Sequence, residues 1–371
     1  MLIGVPKEIK SREYRVGLVS ASVQKLIARG HKVVVETGAG AGISTTDEQY
    51  KAAGARIVKT AQEVFAAAEL IIKVKEPQVA ERKLLRPAQI LFTYLHLAAD
   101  PEQARDLIAS GTACIAYETV TAESGGLPLL APMSEVAGRL SVQAGAHFLE
   151  KAQGGLGLLL GGVTGVAPAK VVVLGGGIAG RNAVQMALGL GAEVWVIDRN
   201  PEVLKKLVQQ FGSSLNTAIS SVEAITQHAI SADLLIGSVL IPGAKAPKLI
   251  TRDMVSRMKA GAVIVDIAVD QGGCCETSRP TTHDAPVYVI DGVIHYCVAN
   301  MPGAVPHTSA YALNNATLPF ILALADKGLQ ALKDDLHLLN GLNVHKGMVT
   351  NKAVADALAY NYVAPALALA N

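Results

Sequence analysis

The chain has 371 residues, half of them hydrophobic and 17% charged, with a net charge of +2. That is enough for two domains with large cores, and the interspersed charges exclude a polyelectrolyte built to hold nucleic acid. Residues 1–7 lack the basic-then-apolar pattern of a signal peptide, glycines punctuate the least charged stretch (153–169), and Cys114, Cys274, Cys275 and Cys297 include no Cys-x-x-Cys pair. The expectation is a cytoplasmic protein with reduced thiols, no membrane helix and no metal centre.

Residues 2–5 predict a strand, followed by a helix with Ser20 as N-cap and Gly30 as its stop. Residues 32–36, 70–75 and 90–95 predict three more strands, and Asp100-Pro101 supplies a cap and a first helical position. Ser134 is expected to cap a helix reaching about Lys151, with a Gly-rich loop beyond it. Strands are predicted at 170–174, 193–197, 233–239 and 262–267, and their continuous β-branched runs suit burial on both faces. From Ser309 onward the pattern is helical, and this tail is expected to pack back on the first domain. The alternation predicts an α/β protein of two Rossmann-like domains with parallel sheets, the second inserted into the first and linked by long helices. The predicted domains are residues 1–130 plus 306–371, and residues 131–305.

After the strand at 170–174 comes Gly175-Gly176-Gly177-Ile178-Ala179-Gly180, a Gly-x-Gly-x-x-Gly pattern that opens a helix. Gly175 permits the turn, Gly177 lets the backbone approach a pyrophosphate, and Gly180 allows close helix–strand packing. Asp198, eighteen residues after Gly180, ends the next strand, where an acid binds ribose hydroxyls and repels a 2′-phosphate. The motif therefore predicts NAD, with Arg199 the one dissonant neighbour. Ligands in such sheets sit beyond the carboxyl ends of the strands, which adds Val239, Leu240, Ile267, Ala268, Val269 and Asp270. Asp270 has an equal alternative as a cap for the turn that follows it.

In the first domain Arg15, Lys75 and His96 stand at or beyond the ends of apolar runs, and parallel strands would converge them on one edge. A guanidinium fork, an ammonium and an imidazole suit a 2-oxo or 2-amino acid. Each also has a plain alternative: a solvated Arg15, a Lys75–Glu76 surface pair, a core His96.

Further blocks carry a resemblance: Ile3-Gly4-Val5-Pro6-Lys7-Glu8, Lys73-Val74-Lys75-Glu76-Pro77, Ala131-Pro132-Met133-Ser134-Glu135, Val265-Asp266-Ile267-Ala268-Val269-Asp270 and Val298-Ala299-Asn300-Met301-Pro302. In order along nearly the whole chain, these resemble the alanine dehydrogenases. The resemblance implies reversible NAD-dependent deamination of L-alanine to pyruvate and ammonia by a homohexamer. It implies Arg15 and Lys75 as substrate-binding residues, His96 as acid/base and Asp270 as its catalytic partner. It places NAD against Ser134, Gly175, Gly177, Ile178, Ala179, Gly180, Asp198, Ser220, Val239, Leu240, Ile267, Ala268, Val269, Asp270, Arg279, Val298, Ala299, Asn300 and Met301. Val203 departs from the basic residue common in relatives. The competing readings are an NAD-binding, transhydrogenase-like hydride-transfer component, a lysine-pathway dehydrogenase and an inert NAD sensor.

Overall fold

The computed structural model describes residues 1–239 and 246–370. The chain forms two compact units, Met1–Met133 with Val305–Asn371, and Ser134–Ala304. Leu240 lies outside the described residues.

The first unit is built on β1 (Leu2–Val5), β2 (Lys32–Glu36), β3 (Arg56–Val58), β4 (Leu70–Ile72), β5 (Ile90–Thr93) and β6 (Ala113–Ala116). They lie in the order β6-β5-β4-β1-β2-β3 and are all parallel. Ile3, Val34, Ile71, Leu91 and Ile115 are buried, as strands covered on both faces require. The chain winds outward from β1 in both directions, so the carboxyl ends of β1 and β4 flank a topological switch point.

Two of the strands predicted in this unit run too long. β4 stops at Ile72 because the Glu8 carboxylate, not a neighbouring strand, accepts from Val74 N at 2.7 Å. β5 stops at Thr93, and Glu118 takes the N–H groups of Leu95 and His96. Ser20 is the first helical residue rather than the cap, since Val19 occupies that place, while Gly30 at φ +83° ends the helix. Asp100 caps its helix through Gln103 N, with Pro101 in the first turn.

The second unit repeats the plan with β7 (Lys170–Leu174), β8 (Glu193–Asp198), β9 (Leu215–Ile219), β10 (Leu234–Gly237), β11 (Val263–Asp266), β12 (Val287–Ile290) and β13 (Val293–Tyr296). Their order is β12-β13-β11-β10-β7-β8-β9, parallel except for the edge strand β12. Its switch point lies between β7 and β10. The helix expected to start at Ser134 spans Ala131–Phe148, so Ser134 sits in its first turn rather than at its N-cap. Pro132 explains the earlier start, because a first turn tolerates proline.

The C-terminal tail is not wholly helical. After the helix Pro306–Lys327, β14 (Leu342–His345) and β15 (Met348–Val349) form an antiparallel hairpin, and β14 also pairs antiparallel with β6. Its two-residue turn, Lys346 at φ +45° and Gly347 at φ +78°, has the left-handed backbone that tight hairpins need.

Candidate active site

The loop after β1 carries Glu8, Glu13 and Arg15. Arg15 is buried, not solvated: Nε donates to Glu13 Oε1 at 2.7 Å and Nη2 to Oε2 at 2.6 Å. Nη1 meets Met133 Sδ at 3.0 Å. The bidentate face expected to clamp a ligand carboxylate is thus occupied by Glu13. Burial opposes ionisation of Glu13, but the hydrogen bonds and charge of Arg15 outweigh it and hold the carboxyl at about 2. A carboxylate depressed in the folded state contributes stability above its unfolded pKa and loses it as the pH falls through the folded value. The contribution of Glu13 should therefore be complete above about pH 4.5 and vanish toward pH 2. Chemical denaturation across that window should show a slope that Glu13→Gln flattens. An unchanged slope would assign it to other carboxylates.

Lys75 lies three residues beyond β4 and is half-buried. The expected partner Glu76 is paired with Lys10 instead. Among the described residues no carboxylate bonds to the Lys75 ammonium, and burial together with the Arg15 charge pushes its pKa down. Its main chain is held firmly: Thr93 Oγ1 donates to Lys75 O at 2.9 Å.

His96 is no core histidine. Its side chain is 51% exposed and its backbone sits in the left-handed region at φ +51°. Such strain in a non-glycine residue persists only where surroundings impose it. Glu118, just past β6, imposes it by accepting from His96 N at 2.6 Å, with the ring Nδ1 3.8 Å from the same carboxylate. The imidazole lies parallel to Tyr94, ring centroids 5.8 Å apart, and the buried Tyr94 hydroxyl donates to Leu129 O. Arg15, Lys75 and His96 thus follow β1, β4 and β5, three adjacent strands at one sheet edge.

In the second unit Gly175 turns at φ +94°, and Gly177 is the N-cap of the helix Ile178–Gly189 with no capping side chain. A Cβ added at Gly177 would meet nothing within 4 Å, whereas one at Gly180 would lie 1.8 Å from Gly175 O. Asp198 Oδ2 accepts from Gly176 N at 2.7 Å, and Ser220 N donates to Asp198 O at 3.0 Å. Val239 packs against Gly175, and Gly138, one turn after Ser134, abuts the backbone of Ala179. The structure therefore gathers Ser134, the glycine turn, Ile178, Ala179, Asp198, Ser220 and Val239 around the end of β7. An open main-chain cradle at a helix N-terminus, with an acid beside it, fits a dinucleotide.

A second group forms beyond β11 and β13. Asp270 is exposed in the short helix Ile267–Gln271 and accepts from Asn300 N at 3.5 Å; Asn300 itself is left-handed at φ +61°. This joins Ile267, Ala268, Val269 and Asp270 to Val298, Ala299, Asn300 and Met301. The turn after Asp270 is closed by main-chain bonds, Gly272 N to Val269 O at 2.9 Å and Gly273 N to Ala268 O at 3.0 Å, while Asp266 caps the short helix itself through Ala268 N. Arg279 stands apart, its guanidinium 4.3 Å over the Tyr288 ring on the edge strand β12. Asp266 also approaches Cys274 and Cys275, but its carboxylate already accepts from Ala268 N, Cys274 N, Cys275 N and Ser278 Oγ. These bonds make it a structural clasp that a cation would have to dismantle.

Reasoning on the sequence missed Glu8, Glu13, Tyr94 and Glu118. The rule that singled out residues past strand ends reaches Glu118 once β6 is recognised.

Comparison with known proteins agrees with this arrangement. Residues 4–137 match the family model "Alanine dehydrogenase/PNT, N-terminal domain" and residues 141–352 its C-terminal counterpart. The alanine dehydrogenase of Halomonas elongata is 58% identical over 98% of both chains. That of Mycobacterium tuberculosis is 51% identical over the full length of both. A solved L-alanine dehydrogenase superposes with a TM-score of 0.95 at 52% identity, covering 97% of this chain and 99% of that one. A transhydrogenase from Sinorhizobium meliloti gives 0.82 at 27% identity, over 95% of this chain and all of that one. With both halves matched in order and more than half of the residues shared with full-length relatives, the chain belongs to the alanine dehydrogenase/PNT family.

Proposed function

We propose that the chain catalyses the reversible, NAD-dependent oxidative deamination of L-alanine to pyruvate and ammonia. The observation that carries this reading is the set at the carboxyl ends of three adjacent strands of the first sheet: Arg15, Lys75, whose ammonium meets no carboxylate among the described residues, and exposed His96. Arg15, Lys75 and Glu13 sum to one positive charge, the complement of one substrate carboxylate. The relatives named alanine dehydrogenase and the weaker likeness to the transhydrogenase support an amino-acid substrate over a hydride-handing component. On this reading residues 1–130 plus 306–371 hold the substrate and 131–305 hold NAD.

Lys75 binds the substrate at its carboxylate and oxygen, with Arg15 adding charge from behind its pair with Glu13. NAD held by the glycine turn and Asp198 would supply the hydride acceptor for Cα. His96 takes a proton from the water that attacks the resulting iminium, then returns one as ammonia departs. Asp270 assists from the cofactor-binding unit, and Asp198 and Ser220 take the adenosine end. The reading extends to a cytoplasmic homohexamer; among the described residues no helix is long and apolar enough to cross a membrane.

The test is nicotinamide reduction on mixing purified protein with NAD⁺ and L-alanine at alkaline pH, where the amine is unprotonated. Reduction with alanine and NAD⁺ is expected, and binding of NADH without turnover of any amino acid would sink the reading. Asp198→Asn should cut the NAD⁺/NADP⁺ ratio of kcat/KM by about tenfold or more, the size of one hydrogen bond to a charged group. An unaltered ratio would move cofactor choice elsewhere.

A further inference from the structure

Two lysines two residues apart have opposite fates. Lys73 is wholly buried, with Nζ 2.9 Å from Glu8 Oε2 and 2.8 Å from Glu81 Oε1. Both carboxylates are buried too. Glu81 is tethered by its other oxygen, which accepts from Gln78 N at 2.8 Å. Glu8 is tethered differently: its Oε1 accepts from Val74 N at 2.7 Å and from Lys75 N at 3.4 Å. One carboxylate therefore neutralises the buried lysine with one oxygen and holds the main chain of its neighbour with the other.

Stability alone does not account for this triad. Taking three charges out of water is costly, and well-packed apolar groups of similar volume commonly serve as well or better. What an apolar trio would lack is the acceptor for Val74 and Lys75. Without it, two N–H groups beyond the end of β4 would lose their partner, and the Lys75 amine would be free to swing toward Glu76 or solvent.

We propose that Lys73, clamped between Glu8 and Glu81, is a positioning residue for the reaction: it fixes the Glu8 carboxylate that in turn fixes the backbone of Lys75 beside Arg15. The inference rests on the reading of Lys75 as a substrate-binding group. Lys75 is faced by Arg15 and Glu13 from the loop after β1, by Lys10 from the same loop, and by Glu76 from its own segment.

The test uses the full-length protein carrying Lys73→Met, Glu8→Gln, both together, or Lys75→Gln. NADH affinity, read by fluorescence titration, should stay within about twofold for all four, because the triad lies outside the nucleotide-binding unit. For Lys73→Met and Glu8→Gln, KM for pyruvate should rise at least about tenfold, more than kcat falls. The alkaline limb of kcat/KM should move upward as the amine escapes the Arg15 charge. The double variant should be no worse than the poorer single, as expected of groups acting as a unit. Should Lys73→Met fail to fold, Glu8→Gln carries the test alone: it keeps the shape of the side chain, but its single acceptor oxygen cannot serve both the Lys73 ammonium and the N–H groups of Val74 and Lys75, which Glu8 engages with separate oxygens. Wild-type kcat/KM and an unmoved limb in Glu8→Gln, with Lys75→Gln inactive, would overturn the proposal. An active Lys75→Gln would instead overturn the reading on which it rests.

Discussion

Replacing His96 by alanine should slow deamination by about 10²–10⁴-fold, the usual worth of a positioned general acid or base. The ring is suited to the task by exposure and by orientation rather than by burial: Tyr94 fixes its plane and Glu118 fixes the main chain beneath it. His96→Ala leaves both in place, so thermal stability and NADH affinity should be nearly unchanged, which separates lost chemistry from lost structure. Glu118→Gln, which weakens the hold on a strained residue, should be intermediate. Steady-state rates in both directions make the measurement. A His96→Ala enzyme within threefold of wild type would remove His96 from the mechanism.

Two glycines in one motif should fail in opposite ways. At Gly180 an added methyl would lie 1.8 Å from Gly175 O and 2.7 Å from Ser238 Oγ, which itself donates to Leu174 O and Gly175 O. Nothing there is the loose end of a flexible chain, so Gly180→Ala should cost at least the ~1–3 kcal/mol of core overpacking. At about 2–4 °C per kcal/mol for a unit of this size, the melting temperature should drop visibly. At Gly177 the methyl meets open space, so Gly177→Ala should melt like wild type. It should nevertheless bind NADH at least about tenfold more weakly, because the methyl stands where the pyrophosphate approaches the main chain. Calorimetry beside NADH titration reads both. A stable, tight-binding Gly177→Ala would mean that the turn does not cradle the cofactor.

The repeated strand–helix alternation and the glycine turn were legible because their signals are local. A run such as Val171-Val172-Val173 can be buried on both faces only as an inner strand, and the turn, helix and Asp198 follow at fixed spacing. Arg15, Lys75 and His96 were placed by the same logic. Less legible were the features that depend on contacts distant in sequence. That Glu13 fills the Arg15 fork depends on the folding back of one loop. Where β4 and β5 stop depends on Glu8 and Glu118, residues 66 and 22 positions away from the N–H groups they capture. The hairpin of β14 and β15 was hidden in an Ala/Leu-rich tail whose composition favours helix, and only its Lys-Gly turn argued otherwise.

The two sheets share one winding order, yet the first turn after the central strand differs in kind. After β7 it is a run of glycines, and recognition there is written in peptide groups that every substitution must spare. After β1 it is a loop of charged side chains, each replaceable one atom group at a time. Evolution, or an engineer, should therefore find the choice of acid far easier to redraft than the main-chain cradle after β7. Libraries aimed at new amino acids belong in the loop after β1, sparing Glu8, Glu13 and Arg15, where changing the vocabulary leaves the grammar of the nucleotide fold untouched.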